Sequence, residues 1–149
     1  MSLATDYAGV MSVLVNDDDL KDLMNIATAD QTDYRLLLDK YFLQTFISDE
    51  FTDDGVCRLL IRSDLQKKTN NEYVKFNGVM FELYVPKTHD YMTAFQTRIN
   101  QISDRLIVLF NREYINENKL IFTECHEMAS FTKYFKRHII KFEYKKIFR

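Results

Sequence analysis

Residues 73–85 read YVKFNGVMFELYV and carry the strongest local folding signal in the chain. The pair Asn77-Gly78 stands between two runs rich in β-branched and aromatic residues, which are typical of strands. Asn and Gly both tolerate positive φ, so this pair favours a two-residue type I′ turn. We therefore predict a β-hairpin over these residues, ended by Pro86, which has no N–H to donate to a strand ladder.

Further strands are predicted on both sides of this segment. From Cys57 to Arg62 one face collects Cys57, Leu59 and Ile61 and the other collects Arg58, Leu60 and Arg62, which indicates a half-buried strand, and a polar loop follows at 66–71. Residues 120–125 alternate in the same way. In the C-terminal segment one face collects apolar side chains, namely Ile140, Phe142, Tyr144 and Phe148, which predicts a last strand with a basic opposite face.

The most regular helical pattern covers residues 90–113. Its apolar residues step by three or four positions, which predicts an amphipathic helix capped by Asp90 or Thr88: Met92, Phe95, Ile99, Ile102, Leu106 and Leu109. Shorter helices are predicted at 17–28, which begins with three acidic residues, and at 33–46, which Thr32 or Asp33 can cap. Residues 1–16 are compatible with a helix end, a short strand or an arm that packs on a neighbour.

This order of elements predicts an α+β protein. We expect an antiparallel sheet of about four to five strands, with the long amphipathic helix packed on one face and the order α-α-β-β-β-α-β-β. A chain of 149 residues is long enough for one domain with a real core, so 1–149 is expected to form a single domain with 1–16 as a possible N-terminal arm.

Charge is sorted by position along the chain. Residues 1–54 contain 3 basic and 12 acidic residues, a net charge of −9, whereas residues 55–149 contain 17 basic and 10 acidic residues, a net charge of +7. Such a chain can present unlike charge on two sides of one fold, which suits association with copies of itself or with a polyanion. An ordinary solvated surface is the alternative interpretation.

Two sets of charged residues are the candidates for such surfaces. The basic set, for contact between subunits or with DNA, comprises Arg98, Arg105, Arg112, Lys136, Arg137, Lys141, Lys145 and Lys146. The first three recur every seven residues and would form one stripe beside the apolar seam of the long helix. Bases near the C-terminus could instead protect an exposed edge strand. The acidic set, for contact between subunits, comprises Asp17, Asp18, Asp19, Asp49, Glu50, Asp53 and Asp54.

No sequence motif points to catalysis, a metal or a cofactor. Cys57 and Cys125 lie in apolar segments and are predicted to be reduced, buried thiols, and the three histidines are scattered. The acidic run at 49–55 lacks the residue order of a calcium loop, and no zinc, P-loop or hydrolase motif occurs. We expect neither enzymatic activity nor a cofactor. No stretch approaches 18 consecutive apolar residues, so no membrane association is expected.

The layout resembles the tail-terminator and neck proteins of tailed bacteriophages over about residues 17–148. The resemblance rests on the element order, on DDDLKDL at 17–23, on GVMFELYVP at 78–86 and on the helix that follows. It implies a structural virion protein, assembled in the host cytoplasm, whose homo-oligomeric ring, often a hexamer, joins the tail tube to the head connector. DNA would pass through the lumen, so non-specific DNA contact is implied as well.

Two other functions remain open from the sequence. One is a non-catalytic nucleic-acid-binding accessory protein or adaptor, in which the basic C-terminal segment binds a polyanion directly. The other is a small ligand-binding protein or enzyme with its pocket between the helix and the sheet. A helix–sheet interface filled by side chains such as Phe81 and Phe142 would argue against a pocket there.

Overall fold

The computed structural model describes residues 3–44, 56–68, 74–88, 92–93, 96–129 and 134–147. Its helices are α1 (Leu3–Asn16), α2 (Asp18–Leu23), α3 (Tyr34–Leu36), which a π-helical turn (Leu37–Tyr41) continues, and α4 (Arg98–Phe110). Its strands are β1 (Phe42–Leu43), β2 (Arg58–Lys68), β3 (Val74–Pro86), β4 (Met92–Thr93), β5 (Gln96–Thr97), β6 (Tyr114–Ile115), β7 (Asn118–Lys119), β8 (Ile121–Met128) and β9 (Phe135–Ile147).

Five of these strands form one sheet in the order β1-β2-β3-β9-β8. Three neighbouring pairs are antiparallel, namely β2 with β3, β3 with β9 and β9 with β8, and the short β1 runs parallel to β2. The remaining strands form two small hairpins, β4-β5 and β6-β7. The predicted α+β class and five-stranded sheet are confirmed, and the parallel β1 makes the sheet mixed.

The hairpin predicted at Asn77-Gly78 is wrong. Residues 74–86 form one continuous strand, in which Gly78 pairs with Asp64 of β2 on one side and with Glu143 of β9 on the other. The signal of an Asn-Gly pair is local, whereas β3 forms ladders along both of its edges, and these tertiary contacts override the turn preference. Pro86 ends the strand as predicted.

A two-residue turn of the predicted kind occurs elsewhere in the chain. Asn116 and Glu117 have φ values of 52° and 81° and join β6 to β7, with Ile115 paired to Asn118. Positive φ at both central positions is the mark of a type I′ turn. The sequence gives no clear local signal for this turn, because its second position is Glu rather than the Gly that is typical of such turns.

The long helix is shorter than predicted. It begins at Arg98 with Thr97 as its N-cap, so Thr88 is not the cap, and Asp90 lies outside the described residues. Met92 lies in β4 rather than in the helix. The helix ends at Phe110, which is fully buried, whereas the predicted core residue Leu109 is half-buried.

The N-terminal third is also helical, with different bounds from those predicted. Residues 3–16 form α1, so of the helix end, short strand and arm predicted as alternatives for this segment, the structure shows a helix. α2 covers only 18–23 of the predicted 17–28, because Asn25 adopts φ of 59° just beyond it. The predicted helix at 33–46 reaches only Tyr41, after which the chain enters β1; its N-cap is Asp33, as predicted.

The core lies between α4 and one face of the sheet. Phe81 of β3, Phe110 of α4 and Phe142 of β9 form an aromatic cluster with centroid distances of 5.2–5.9 Å. Their edge-to-face and tilted arrangements are those that aromatic pairs prefer. These rings fill the helix–sheet interface at the position where the sequence left a pocket open as an alternative.

The C-terminal strand β9 lies inside the sheet, between β3 and β8. The hypothesis that its basic residues protect an exposed edge is therefore wrong, since β8 and β1 are the outer strands. Ile140, Phe142 and Tyr144 are buried on one face as predicted, and Phe148 lies outside the described residues. Pairing on both sides fixes which residues of β9 point toward α4 and which point away.

Candidate interaction surfaces

The clearest charged contact joins α2 to α4. Arg105 on α4 donates through Nε to Asp17 Oδ2 at 2.9 Å and through Nη2 to Asp17 Oδ1 at 2.6 Å. Asp17 is also the N-cap of α2, where its Oδ2 accepts from the Leu20 N–H at 2.9 Å. One carboxylate therefore caps a helix and forms a two-pronged ion pair. This acid and this base come from opposite candidate sets and meet within one chain.

The environment of this pair sets the pKa of both groups. Burial acts to raise the pKa of Asp17, but the Arg105 hydrogen bond, the Leu20 N–H and the charges of Arg105 and Lys21 together lower it below its ordinary value. The hydrogen bonds that Arg105 donates to Asp17 raise the pKa of Arg105, and the charges of Asp17 and Asp19 raise it further, against a smaller opposing effect of burial. Both groups are thus held in their charged forms.

Beside this pair, α2 and α4 enclose an open groove of about 490 Å³, here called the α2–α4 groove. Its floor is mainly apolar and includes Val108, which is 65% exposed. Three carboxylates surround the floor: Asp19, Asp22 and Asp104. Among the described lining residues the base is Arg105, which is bound to Asp17, so these residues give the groove an acidic rim.

The opposite side of the domain is here called the outer sheet face, the sheet surface that points away from α4. His138 Nδ1 lies 3.0 Å from Ser103 Oγ on α4, so its neighbours Arg137 and Ile139 point to the outer face. Strand register places further charges on this face: Arg58 and Arg62 of β2, Glu82 of β3, Lys141 and Glu143 of β9 and Glu124 of β8. These described residues comprise four basic and three acidic side chains, of which Arg58 and Glu82 are buried.

A buried carboxylate organises the outer sheet face. Only 2% of the Glu82 side chain is exposed, and it is paired with Arg137 and, at 3.5 Å, with Arg62. The Arg137 guanidinium also lies 5.8 Å from the centre of the Tyr84 ring. Burial, together with the charge of Glu82, raises the pKa of Tyr84 to about 12. Two guanidinium groups around one carboxylate leave this site with a positive net charge.

The remaining C-terminal bases of the candidate set do not share one surface. Lys141 points to the outer face and pairs with Glu124 at 3.1 Å. Lys136 precedes Arg137 on β9 and therefore lies on the face that bears His138, toward α4. Lys145 and Lys146 pair in register with Phe76 and Lys75.

The predicted arginine stripe on the long helix is wrong in one of its three members. Arg98 is the first residue of α4 and Arg105 lies in its middle, but the helix ends at Phe110. Arg112 lies in the following turn with φ of 64°, and its N–H donates to Leu120 O at 2.7 Å. A stripe requires continuous helical periodicity, which the chain loses before it reaches Arg112.

The acidic candidates divide between the start of α2 and the segment 49–54. Asp18 and Asp19 are exposed in the first turn of α2, and Asp18 pairs with Lys21 at 3.2 Å. Asp49, Glu50, Asp53 and Asp54 lie outside the described residues.

Sequence reasoning missed a buried polar network around Asp6. This residue is 2% exposed and accepts from Asn118 Nδ2 at 2.9 Å and from the Tyr144 hydroxyl at 3.2 Å. The network links α1 to β7 and β9, and its partners Asp6 and Tyr144 are 138 positions apart in sequence. Nothing local marks Asp6, apart from its position on the same helix face as the buried Val10 and Leu14.

A second polar group lies between α4 and the sheet. The Ser103 hydroxyl donates to Ile99 O at 2.9 Å, and its oxygen also lies 3.0 Å from His138 Nδ1. Ser103 lies between the Ile99 carbonyl and the His138 ring and so links α4 to β9.

Burial raises the pKa of Cys125, an effect that a Ser103 hydrogen bond opposes and the charge of Asp104 reinforces. Neither cysteine forms a disulfide, and Cys57 is buried whereas Cys125 is half-buried.

The described residues contain neither a metal site nor a membrane-spanning helix. Within these ranges no three His, Cys, Asp or Glu side chains come together as a metal site would require. Within the same ranges, no helix has the length and apolar character needed to cross a bilayer.

Comparison with known proteins places the chain in a family. A search of curated proteins found no match. The sequence model of the YomW family matches residues 17–143, which begin at the N-cap of α2 and end within β9, so α1 lies outside the match. The match associates the chain with bacteriophage proteins, in agreement with the coarser part of the sequence resemblance. Since the match covers far more than half of its length, the chain belongs to the YomW family.

Proposed function

We propose that this YomW-family chain is a structural assembly protein of a phage particle, a ring subunit of the tail-terminator or neck type that joins the tail tube to the head connector. The observation that carries the proposal is the phage-associated family match over residues 17–143, which covers most of the segment that resembles those proteins. The α+β architecture agrees with the element order on which that resemblance rests.

The packing of the chain supports a role exercised through its surfaces. The interface between α4 and the sheet, where α+β enzymes can hold a ligand, is occupied by the Phe81, Phe110 and Phe142 rings. Ser103, a polar group between α4 and the sheet, is hydrogen-bonded to the Ile99 carbonyl and to the His138 ring. We therefore assign the function to the charged exterior, which is where a protein that binds other subunits makes its contacts.

Contact with DNA is a secondary part of the proposal. The basic residues of the outer sheet face could approach phosphates without reading sequence, since this requires only positive charge. Arg137 and Lys141 already pair with Glu82 and Glu124 of the same chain, which reduces the charge they can offer to a polyanion. The pairing therefore favours assembly over direct nucleic-acid binding as the main role.

The proposal is tested in the phage or prophage that encodes the chain. Mass spectrometry of purified particles is expected to detect the protein. Deletion of its gene is expected to leave filled heads and separate tails in electron micrographs, and the gene supplied in trans should restore joined particles. Particles of normal composition and infectivity from the deletion strain would refute the structural role.

A further inference from the structure

The β6–β7 hairpin turns an aromatic ring and a base together toward the exterior. Tyr114 is 67% exposed, the largest fraction among the exposed large apolar side chains of the described residues. Its cross-strand partner Lys119 is exposed as well, and Lys119 Nζ lies 5.9 Å from the centre of the Tyr114 ring. Cross-strand partners lie on one face of a ladder, and the other pair of this hairpin, Ile115 with Asn118, is buried. The exposed pair is here called the hairpin face.

The hairpin is attached to the domain through its buried side. Asn118 Nδ2 donates to the buried Asp6 at 2.9 Å. Ile115 approaches α1 so closely that a Cβ added to Gly9 would lie 2.6 Å from Ile115 Cγ2. The backbone that carries Tyr114 is thus positioned before any partner binds, which reduces the entropic cost of a contact.

The α2–α4 groove has the complementary chemistry. Its apolar floor includes Val108, which is 65% exposed, and the half-buried Leu23. Three carboxylates surround this floor: Asp19, Asp22 and Asp104. A ring with an adjacent ammonium group fits such a site, because the ring can cover the apolar floor while the ammonium group meets the carboxylates.

The hairpin face and the groove are separate surfaces of the domain. The hairpin contacts α1 near Asp6 and Gly9, whereas the groove lies beyond the other end of α1, where Asp17 binds Arg105. The helix rises by about 10 Å between Gly9 and Asn16. A contact that joins two different surfaces of identical chains is heterologous, and it continues from copy to copy until it closes as a ring.

We infer that the α2–α4 groove of one subunit binds the hairpin face of a second copy of this chain. The Tyr114 ring of the second copy lies on Val108, and its Lys119 ammonium group lies beside Asp104. Asp104 precedes Val108 by four positions on α4, so this carboxylate borders the part of the floor that the ring covers. The inference rests on the proposed assembly function and names the two surfaces that would carry the assembly.

The first test measures self-association of the full chain by analytical ultracentrifugation. Oligomers are expected at high protein concentration, with a dissociation constant that rises with ionic strength because exposed charges are screened. Tyr114→Ala should weaken association about tenfold or more, as expected for a tyrosine at the centre of an interface. Tyr134→Ala is the matched control, because Tyr134 is 40% exposed in the turn before β9, outside both surfaces.

The second test mixes two variants that are each damaged on one surface only. Val108→Asp places a carboxylate on the floor of an acidic groove and leaves the hairpin face intact, whereas Tyr114→Ala leaves the groove intact. Each variant alone should be monomeric, but an equimolar mixture should form a heterodimer through the one intact contact. A folding defect cannot produce this result, because the mixture contains no unmodified chain.

The third test exchanges the charges. Asp104→Lys and Lys119→Glu should each weaken association, because each brings like charges together. The double variant should recover association, because its two surfaces are complementary again in the opposite sense. Thermal unfolding of each variant shows whether the subunit is folded.

The outcomes separate this inference from the proposed function. A monomer at every salt and protein concentration, or Tyr114→Ala and Val108→Asp variants that associate like the unmodified chain, would refute the contact. If Val108→Asp blocks particle assembly while the unmodified chain stays monomeric, the groove binds another virion protein, so the structural function stands and the second copy is the wrong occupant. If self-association depends on these residues but the protein is absent from particles, the contact stands and the proposed function is wrong.

Discussion

The ion pair between Asp17 and Arg105 provides the sharpest test of how the helical layer is held together. Asp17 carries two functions, as N-cap of α2 and as partner of Arg105, and two substitutions separate them. Asn is as good an N-cap as Asp, so Asp17→Asn removes mainly the charge, whereas Asp17→Ala removes both the cap and the pair.

The structure sets the expected magnitudes. Loss of an N-cap side chain typically costs about 1 kcal/mol. The side chains of Asp17 and Arg105 are 13% and 27% exposed, so their pair is partly shielded from water, and a contribution of about 1 kcal/mol is expected for it. Asp17→Ala should then lower the free energy of unfolding by about 2 kcal/mol and Asp17→Asn by about 1 kcal/mol.

Urea unfolding followed by far-ultraviolet circular dichroism measures these changes, together with the midpoint of thermal unfolding. For a domain of this size, 2 kcal/mol corresponds to a shift of about 4–8 °C. Asp18→Ala is the matched control, because Asp18 is 84% exposed and its pair with Lys21 should contribute less than about 0.5 kcal/mol. A double-mutant cycle with Arg105→Ala isolates the pairwise term.

The same pair predicts a dependence of stability on pH. The folded pKa of Asp17 lies below its unfolded value, so its contribution is fully present above about pH 4 and is lost as the pH falls through the folded pKa. Asp17→Asn should therefore be less stable than the unmodified chain at pH 7 and approach it in strong acid. Equal costs for Asp17→Ala and Asp18→Ala at pH 7 would refute the reasoning.

Four further predictions concern other parts of the fold. Asp6→Ala leaves two buried donors without their acceptor and should cost about 2–3 kcal/mol in urea unfolding. Gly9→Ala should destabilise the protein despite the better helix propensity of Ala, because a Cβ there would lie 2.6 Å from Ile115 Cγ2; an unchanged midpoint of thermal unfolding would contradict this close approach. Glu117→Gly should raise the free energy of unfolding by about 1 kcal/mol, because Gly adopts φ of 81° without the steric cost that Glu meets. Tyr84 should ionise near pH 12 in an ultraviolet absorbance titration, and because its unfolded pKa is near 10, its contribution to stability should disappear as the pH rises from 10 to 12, an effect that Tyr84→Phe removes.

Much of the fold could be predicted because its elements repeat regular patterns. The alternation through Leu59 and Ile61 and the helical spacing of Ile99, Ile102 and Leu106 identify a strand and a helix, and all five residues are buried. The same patterns misplace boundaries, since periodicity does not show where a helix first becomes stable.

The candidate surfaces were less predictable than the elements. Charge sorting along the sequence drew attention to acidic residues of α2 and to bases near the C-terminus. It could not show that Asp17 and Arg105 use their charges on each other, because this contact joins residues 88 positions apart in sequence.

The sequence by itself determined the class of the protein: the α+β composition of elements, the apolar faces that form the core, and the opposite net charges of its two parts. Only the tertiary structure decided that Asn77-Gly78 lies within a central strand, that β9 is internal, and that Asp6 joins α1 to the sheet. The physical reason is the sequence range over which the interactions act. Propensity and periodicity arise between near neighbours, whereas strand order and buried polar pairs depend on which distant segments bury the most surface and satisfy one another's hydrogen bonds.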